Sequence, residues 1–211
     1  MAACLEHLIG KNFEATRQLR ILEIGPIGIY TFRAEDNCPI EIRYELEHRA
    51  PIAELQRKKP QHKYLGFGHV PADEEIRKSN LGEVPYLQGC LSPFNDESID
   101  TDDRIATALG GRPDIIIGQH VFESSRASPL IMPKTAYHLF EHAARMLASL
   151  GFLVVHNYDS GRDDIGERRD APKHFPHTAQ TTLAFAYRTN YSFRAPSGKE
   201  EKECIYVFKK M

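Results

Sequence analysis

The sequence predicts an α/β domain: a doubly wound, mostly parallel, seven-stranded sheet with a C-terminal antiparallel hairpin and helices on both faces. Three observations predict it. Short apolar runs such as Arg20–Gly25, Asp114–Gly118 and Phe152–Val155 lack the alternation of a half-solvated strand, so they read as strands covered on both sides. Stretches with helical spacing lie between such runs, in the β-then-α order that builds parallel sheets from crossover units. The last two extended runs, Tyr191–Arg194 and Glu203–Lys209, are joined across Pro196-Ser-Gly198, and a link that tight makes them antiparallel.

Taken in order, residues 1–19 read as a helix, because Leu5, Leu8, Ile9 and Phe13 recur at three- and four-residue steps. Arg20–Gly25 is the first strand, ended by a glycine turn. A short helix is expected over Ile29–Asp36. Pro39–Glu45 alternates and carries β-branched residues, which predicts a second strand, and His48–Lys59, closed by Pro60, supplies the helix after it. Tyr64–Val70 and Val84–Leu91 compete for the third parallel position, with Val84–Leu91 preferred and the charged stretch between them read as connection. The long segment 61–83 then looks like an insertion.

Asp100–Leu109 is a further helix, broken by Gly110-Gly-Arg-Pro, and Asp114–Gly118 is the central strand. Tyr137–Ser149 places Leu139, Phe140, Ala143, Met146 and Leu147 on one stripe, with Leu150-Gly151 as its cap before the strand Phe152–Val155. Residues 159–177 form a charged loop bearing glycine and proline, read as a flap over the substrate or as a solvated connection. Thr178–Asn190 is expected to be helical ahead of the final hairpin.

A chain of 211 residues that is 41% hydrophobic is expected to form a single domain, 1–211, able to bury roughly 70% of its unfolded surface. The 27 basic and 29 acidic side chains leave a net charge of -2, which advertises neither nucleic acid nor a membrane surface as partner. No apolar run approaches the roughly 20 residues needed to span a bilayer. The opening Met-Ala-Ala-Cys-Leu-Glu-His lacks the basic and apolar parts of a secretory signal, so a cytoplasmic location is expected. Cys4, Cys38, Cys90 and Cys204 stand far apart, and the pairs His138/His142 and His174/His177 have no third partner at ligand spacing, so no metal site is expected.

Strand, glycine turn and helix in that order suit a ligand, because glycine lets the backbone approach closely and a helix N-terminus offers free N–H groups. Glu23-Ile-Gly-Pro-Ile-Gly28 has that form, and equally that of a tight turn without a ligand. Glu45, twenty residues after Gly25, stands where an acid at the tip of a second strand accepts the hydroxyls of a ribose; the alternative is a solvated glutamate. Gln119 and His120 follow the central strand, and His156, Asn157, Tyr158 and Asp159 follow the next one, on the edge where open α/β sheets bind ligands.

Ile21-Leu-Glu-Ile-Gly-Pro-Ile-Gly28, then Glu45, then Pro113-Asp-Ile-Ile-Ile-Gly-Gln-His-Val-Phe122, then Ala144-Arg-Met-Leu-Ala-Ser-Leu-Gly-Phe-Leu-Val-Val155 together resemble the class I S-adenosylmethionine-dependent methyltransferases. The resemblance spans residues 20–157, and the final hairpin fits the family's antiparallel seventh strand. It implies S-adenosylmethionine as cofactor. Glu23, Gly25, Pro26 and Gly28 would then hold its methionine end, Glu45 its ribose, and Gly89 and Cys90 its adenine. Gln119 would face the transferable methyl group. Two positions depart from the family: Ile27 and Ile29 replace the second and third glycines of the turn, and Cys90 replaces an acid. If Tyr64–Val70 is the third strand, the adenine contacts move to Gly68 and His69.

The activity so implied is methyl transfer to an oxygen or nitrogen of a small-molecule acceptor. A hydroxyl acceptor needs a base, and His120 is the first choice for it, with Gln119, His156 and Tyr158 as further catalytic candidates. The alternative for His120 is a packed, hydrogen-bonded histidine. Gly-Gln-His-Val after the fourth strand is not the aromatic motif of base-flipping methyltransferases, so nucleic acid is not the expected acceptor. The rival reading is a methyltransferase-like binding or scaffold protein without catalysis, suggested by the atypical turn.

Overall fold

The computed structural model describes residues 1–26, 29–32, 39–43, 50–68, 74–89, 97–119, 142–159, 183–194 and 200–211. Within them the chain forms α1 (Ala2–Asn12), β1 (Arg20–Ile24), β2 (Ile29–Phe32), β3 (Pro39–Arg43), α2 (Pro51–Lys58) and β4 (Lys63–Gly68). There follow α3 (Glu74–Leu81), β5 (Tyr86–Gln88), α4 (Glu97–Leu109), β6 (Ile115–Gln119), β7 (Phe152–Asp159), β8 (Leu183–Arg194) and β9 (Glu200–Lys210). Residues 142–146 are helical as well.

Seven strands make the main sheet in the order β5-β4-β1-β6-β7-β9-β8, with β2 and β3 pairing separately. The first five run parallel, while β9 is antiparallel to both β7 and β8. The doubly wound fold and its closing antiparallel hairpin are as the sequence predicts. From β1 the chain moves outward to β4 and β5, then returns to place β6 on the other side of β1. That reversal makes β1/β6 the switch point, where the carboxyl edge of an open sheet offers a crevice.

Alternation along each central strand sorts side chains into two apolar layers. Ile21, Tyr64, Ile115, Ile117, Phe152, Val154, Ile205 and Val207 join Leu5, Leu8 and Ile9 of α1, Ile52 and Leu55 of α2, and Leu81 of α3. Leu22, Ile24, Leu65, Phe67, Ile116, Leu153 and Val155 face the other way, onto Ile105 and Leu109 of α4 and onto Ala143, Met146 and Leu147. Helices therefore cover both faces.

Polar contacts lock this sandwich at its amino-terminal edge. Asp114, 1% exposed, accepts from Arg17 Nη2 (2.6 Å), Arg20 Nε (3.0 Å) and the Arg20 backbone N–H (2.9 Å), tying the α1–β1 connection to β6. Charge-assisted bonds of this kind are the strong ones. On the α4 face, His142 Nε2 lies 2.5 Å from Asp102 Oδ1, and Arg145 Nη2 lies 2.9 Å from His142 Nδ1. A guanidinium only donates, so His142 accepts at Nδ1 and donates from Nε2 to Asp102.

Several expectations are corrected. The segment expected as a helix from Ile29 is strand β2, and Pro39–Arg43 is not a strand of the main sheet: it pairs antiparallel with β2, Ile29 opposite Arg43 and Tyr30 opposite Ile42. The true second parallel strand is β4, and β5 is the third, so 64–70 and 84–91 were not rivals but neighbours. Residues 74–81, expected as connection, form α3, so segment 61–83 contributes β4 and α3 to the layers of the fold. Residues 183–190, expected as helix, belong to β8, because Phe185, Tyr187, Tyr191 and Phe193 suit a strand zipped along β9. The N-terminal helix also stops at Asn12. Leu150, expected to share a cap with Gly151, itself takes the left-handed angle, φ 62°.

The hairpin leaves α2 to be positioned from a distance. Its N-cap, Ala50, has no side chain able to cap, and Pro51 opens the first turn. The missing acceptor comes from β1: the Ile52 backbone N–H donates to Glu23 Oε2 at 2.9 Å, and Glu23 is fully buried. The Ala50 N–H in turn donates to Asn80 O at the end of α3 (2.9 Å). A carboxylate at a helix N-terminus satisfies an orphan donor and meets the positive end of the helix dipole.

His62, 7% exposed, accepts the Leu19 N–H at Nδ1 (3.3 Å), so the neutral ring carries its proton on Nε2, which has no hydrogen-bond partner among the described residues. Burial, and then the Lys59 ammonium, push its pKa below the ordinary 6.5, against an opposing pull from Asp114. The unfolded chain therefore takes up this proton more readily than the folded one. The stabilisation from a neutral His62 is complete above pH 6.5 and is lost as pH falls through that value toward the lower folded one. Urea unfolding from neutral to mildly acid pH should show a fall in stability that His62→Asn, whose amide oxygen can still accept from Leu19, reduces; an identical pH profile in the variant counts against it. Glu23→Ala should cost about 1–3 kcal/mol in the same assay, with Glu23→Gln, which keeps an acceptor, costing less. Equal losses in the two variants would show that the hydrogen bond to Ile52 is not what Glu23 contributes.

Candidate functional site

The register of the parallel strands brings their carboxyl ends level. Ile24 stands opposite Phe67 on one side and Gly118 on the other, Gly118 stands opposite Val155, and Gln119 opposite His156. One edge of the sheet thus collects Gly25 after β1, Gly68 at the end of β4, Gly89 after β5, Gln119 at the end of β6 and His156 on β7.

Gly25 turns the chain at φ 71°, in the left-handed region that side chains other than glycine's disfavour. Its N–H donates to Phe67 O (2.8 Å), which extends the β1–β4 pairing one residue past the strand. Pro26 is buried, and its ring fills the space above Gly66, where an added Cβ would lie 3.1 Å from Pro26 Cγ. On the outer flank, Gly89 N–H donates to Gly68 O (2.9 Å), and Arg104 Nη2 of α4 donates to Gln88 O (3.2 Å). A Cβ on Gly89 would meet the Phe67 ring at 2.9 Å, so the end of β5 lies close against the core.

The structure sorts the sequence-derived candidates. Gly25, Pro26 and Gly89 lie on the shared edge, and Gln119 and His156 are cross-strand neighbours there. Tyr158 is two residues further along β7, opposite Glu203 of β9. Glu23 is beneath the turn, with its carboxylate on α2. Gly28, Glu45, Cys90, His120 and the loop 160–177 lie outside the described residues. The strand before Glu45, expected as the second strand of the main sheet, pairs with β2 instead.

With β4 as the second strand, the tip to inspect is Gly68, and no Asp or Glu occurs in Lys63–Gly68. The place of a side chain at Gly68 is taken from the side: an added Cβ there would lie 2.8 Å from the Tyr86 hydroxyl. Neither Tyr86 nor Arg104 was singled out from the sequence. Tyr86 opens a strand of three residues, and nothing local shows that its ring reaches a neighbouring strand's end.

Among the described residues, no helix is long and apolar enough to cross a membrane, and no group of three or more His, Cys, Asp or Glu is arranged to hold a metal ion.

No protein-family profile matches the sequence, and no curated protein does. Solved structures do. The N-methyltransferase NodS from Bradyrhizobium japonicum WM9, in complex with S-adenosylhomocysteine, superposes with a TM-score of 0.55 at 12% identity over 99% of this chain and 85% of its own. A SAM-dependent methyltransferase from Methanosarcina mazei gives 0.51 at 11% identity over 97% of each chain. A TehB-like SAM-dependent methyltransferase from Corynebacterium glutamicum gives 0.50 at 13% identity over 100% of this chain and 96% of its own. Strand order, the closing antiparallel pair and these superpositions agree: the chain has the fold of the class I S-adenosylmethionine-dependent methyltransferases.

Proposed function

We propose that the chain is an S-adenosylmethionine-dependent methyltransferase acting on an oxygen or nitrogen of a small-molecule acceptor. One observation carries the reading: Gly25 turns in the left-handed region at the carboxyl end of β1, beside the switch point, with Gly68 and Gly89 ending the neighbouring strands. Such an edge fits a ligand whose tail runs close along the backbone. When bound, the cofactor supplies a methyl group on a sulfonium sulfur, ready for displacement by a nucleophile in line with the breaking bond.

This chain's residues divide the remaining work. Gly25 and Pro26 turn the chain toward the methionine end, which Gly28 also contacts, and Glu23 holds the end of β1 to α2. Gly89 and Cys90 flank the adenine at the end of β5. Gln119 and His156, opposite each other on β6 and β7, flank the methyl group, with His120 directly after Gln119. His120 takes the proton of an acceptor hydroxyl, since an imidazole titrates near neutral pH. Tyr158 stands further along β7. An amine that arrives neutral needs no base.

The second reading, a cofactor-binding protein without turnover, is favoured by one feature, the missing acid at the tip of β4. It shares the binding step and differs in chemistry, so the two separate by experiment.

Calorimetry should detect binding of S-adenosylhomocysteine and none of NAD. Gly25→Val, which puts a β-branched side chain at φ 71°, should abolish that binding; unchanged affinity in a folded variant counts against the turn as the site. In an assay of S-adenosylhomocysteine release over a panel of phenols and amines, His120→Ala should lower turnover of a hydroxyl acceptor by about 10²- to 10⁴-fold with cofactor affinity intact. A loss below tenfold moves the base to His156 or Tyr158, and no turnover with any acceptor favours the second reading.

A further inference from the structure

The tip of β4 is where an acid would serve a ribose, and the chain has built something else there. A carboxylate at the end of a second parallel strand can accept both hydroxyls of a ribose. Here that strand ends Gly66-Phe67-Gly68. Tyr86 pairs with Gly66, yet its hydroxyl stands 2.8 Å from where a Cβ of Gly68 would be. The phenol must therefore run along the strand direction toward the carboxyl edge, across a two-residue rise of about 6.6 Å, which a tyrosine side chain spans.

The surroundings hold it in that attitude. Beside it, the place of a side chain at Gly66 is filled by Pro26 and Leu81. Tyr86 is half-buried and packs on the α1–α3 layer. The Gly89 N–H to Gly68 O bond and the Arg104 bond to Gln88 O fix β5 beside β4 at that level.

We propose that the Tyr86 hydroxyl is the ribose-recognition group of this chain, hydrogen-bonding a ribose hydroxyl of the adenosyl cofactor in place of a strand-end acid. The inference rests on the cofactor reading above. A phenol has one proton to donate, so it donates to a single ribose hydroxyl, and it does so without charge. Its contribution is that of one neutral hydrogen bond, about tenfold in affinity or less.

Calorimetry on the full chain uses two probes, S-adenosylhomocysteine and its 2′,3′-dideoxy analogue. Tyr86→Phe, which keeps the ring in the core, should weaken S-adenosylhomocysteine by about 3- to 10-fold and leave the dideoxy analogue within twofold of wild type. Gly68→Ala, whose new methyl displaces the hydroxyl, should give the same probe-dependent loss. Equal losses on both probes would make Tyr86 a packing residue, and no loss on S-adenosylhomocysteine would place the ribose elsewhere; either overturns the proposal while the cofactor reading stands. A wild-type chain that binds neither probe overturns both.

Discussion

The buried carboxylate of Glu23 is the contact on which both the fold and the site depend. It sits one residue before the end of β1, and its neighbours on that face are apolar side chains of α1, α2 and the sheet. A charged group there is tolerable only where donors meet it, and the Ile52 N–H is one of them. The bond does two things at once. It starts α2 at a defined height above β1, and it fixes the backbone that leads into Gly25.

This contact holds α2 to β1 across the segment that contains the β2–β3 pair. The β2–β3 hairpin separates the glycine turn from α2, so chain continuity alone does not position the helix. Glu23 holds its first turn, and the Ala50–Asn80 bond holds it to α3, so the length of the intervening segment matters little to the core. Closing a longer loop costs only a slowly growing entropy, about 0.6 kcal/mol per doubling, which one buried charge-assisted bond offsets.

What the sequence made legible follows from the range of the forces involved. β1, β6 and β7 were readable because burial on both faces makes Ile21-Leu22, Ile115-Ile116-Ile117 and Phe152–Val155 continuously apolar, a local signature. Strand order was not, because Pro39–Arg43 and Lys63–Gly68 are both plausible second strands until one sees which of them pairs with β1. β8 was misread for a related reason: Leu183-Ala-Phe-Ala has neither the length nor the spacing to separate helix from strand, and its pairing with Lys209 and Phe208 decides. At the site, Gly25 announced itself by sitting where an apolar strand stops. Tyr86 did not, since its importance arises from a contact across strands. Glu23 was noticed as an acid by a glycine turn, but its task, capping a helix 29 residues away, is invisible in sequence.

A neutral group at the tip of β4 also makes electrostatic sense beside Glu23. Glu23 stands opposite Gly66, so positions 23, 66 and 68 share one face of the sheet. Strands about 4.8 Å apart and a rise of about 6.6 Å over two residues put position 68 roughly 8 Å from Glu23. Glu23 on β1 is committed to α2 through the Ile52 N–H, so the hydrogen-bonding group on this face nearest the edge is the one that Tyr86 brings from β5. A glycine with a tyrosine hydroxyl beside it keeps a hydrogen-bonding group at the edge and adds no second charge to that face.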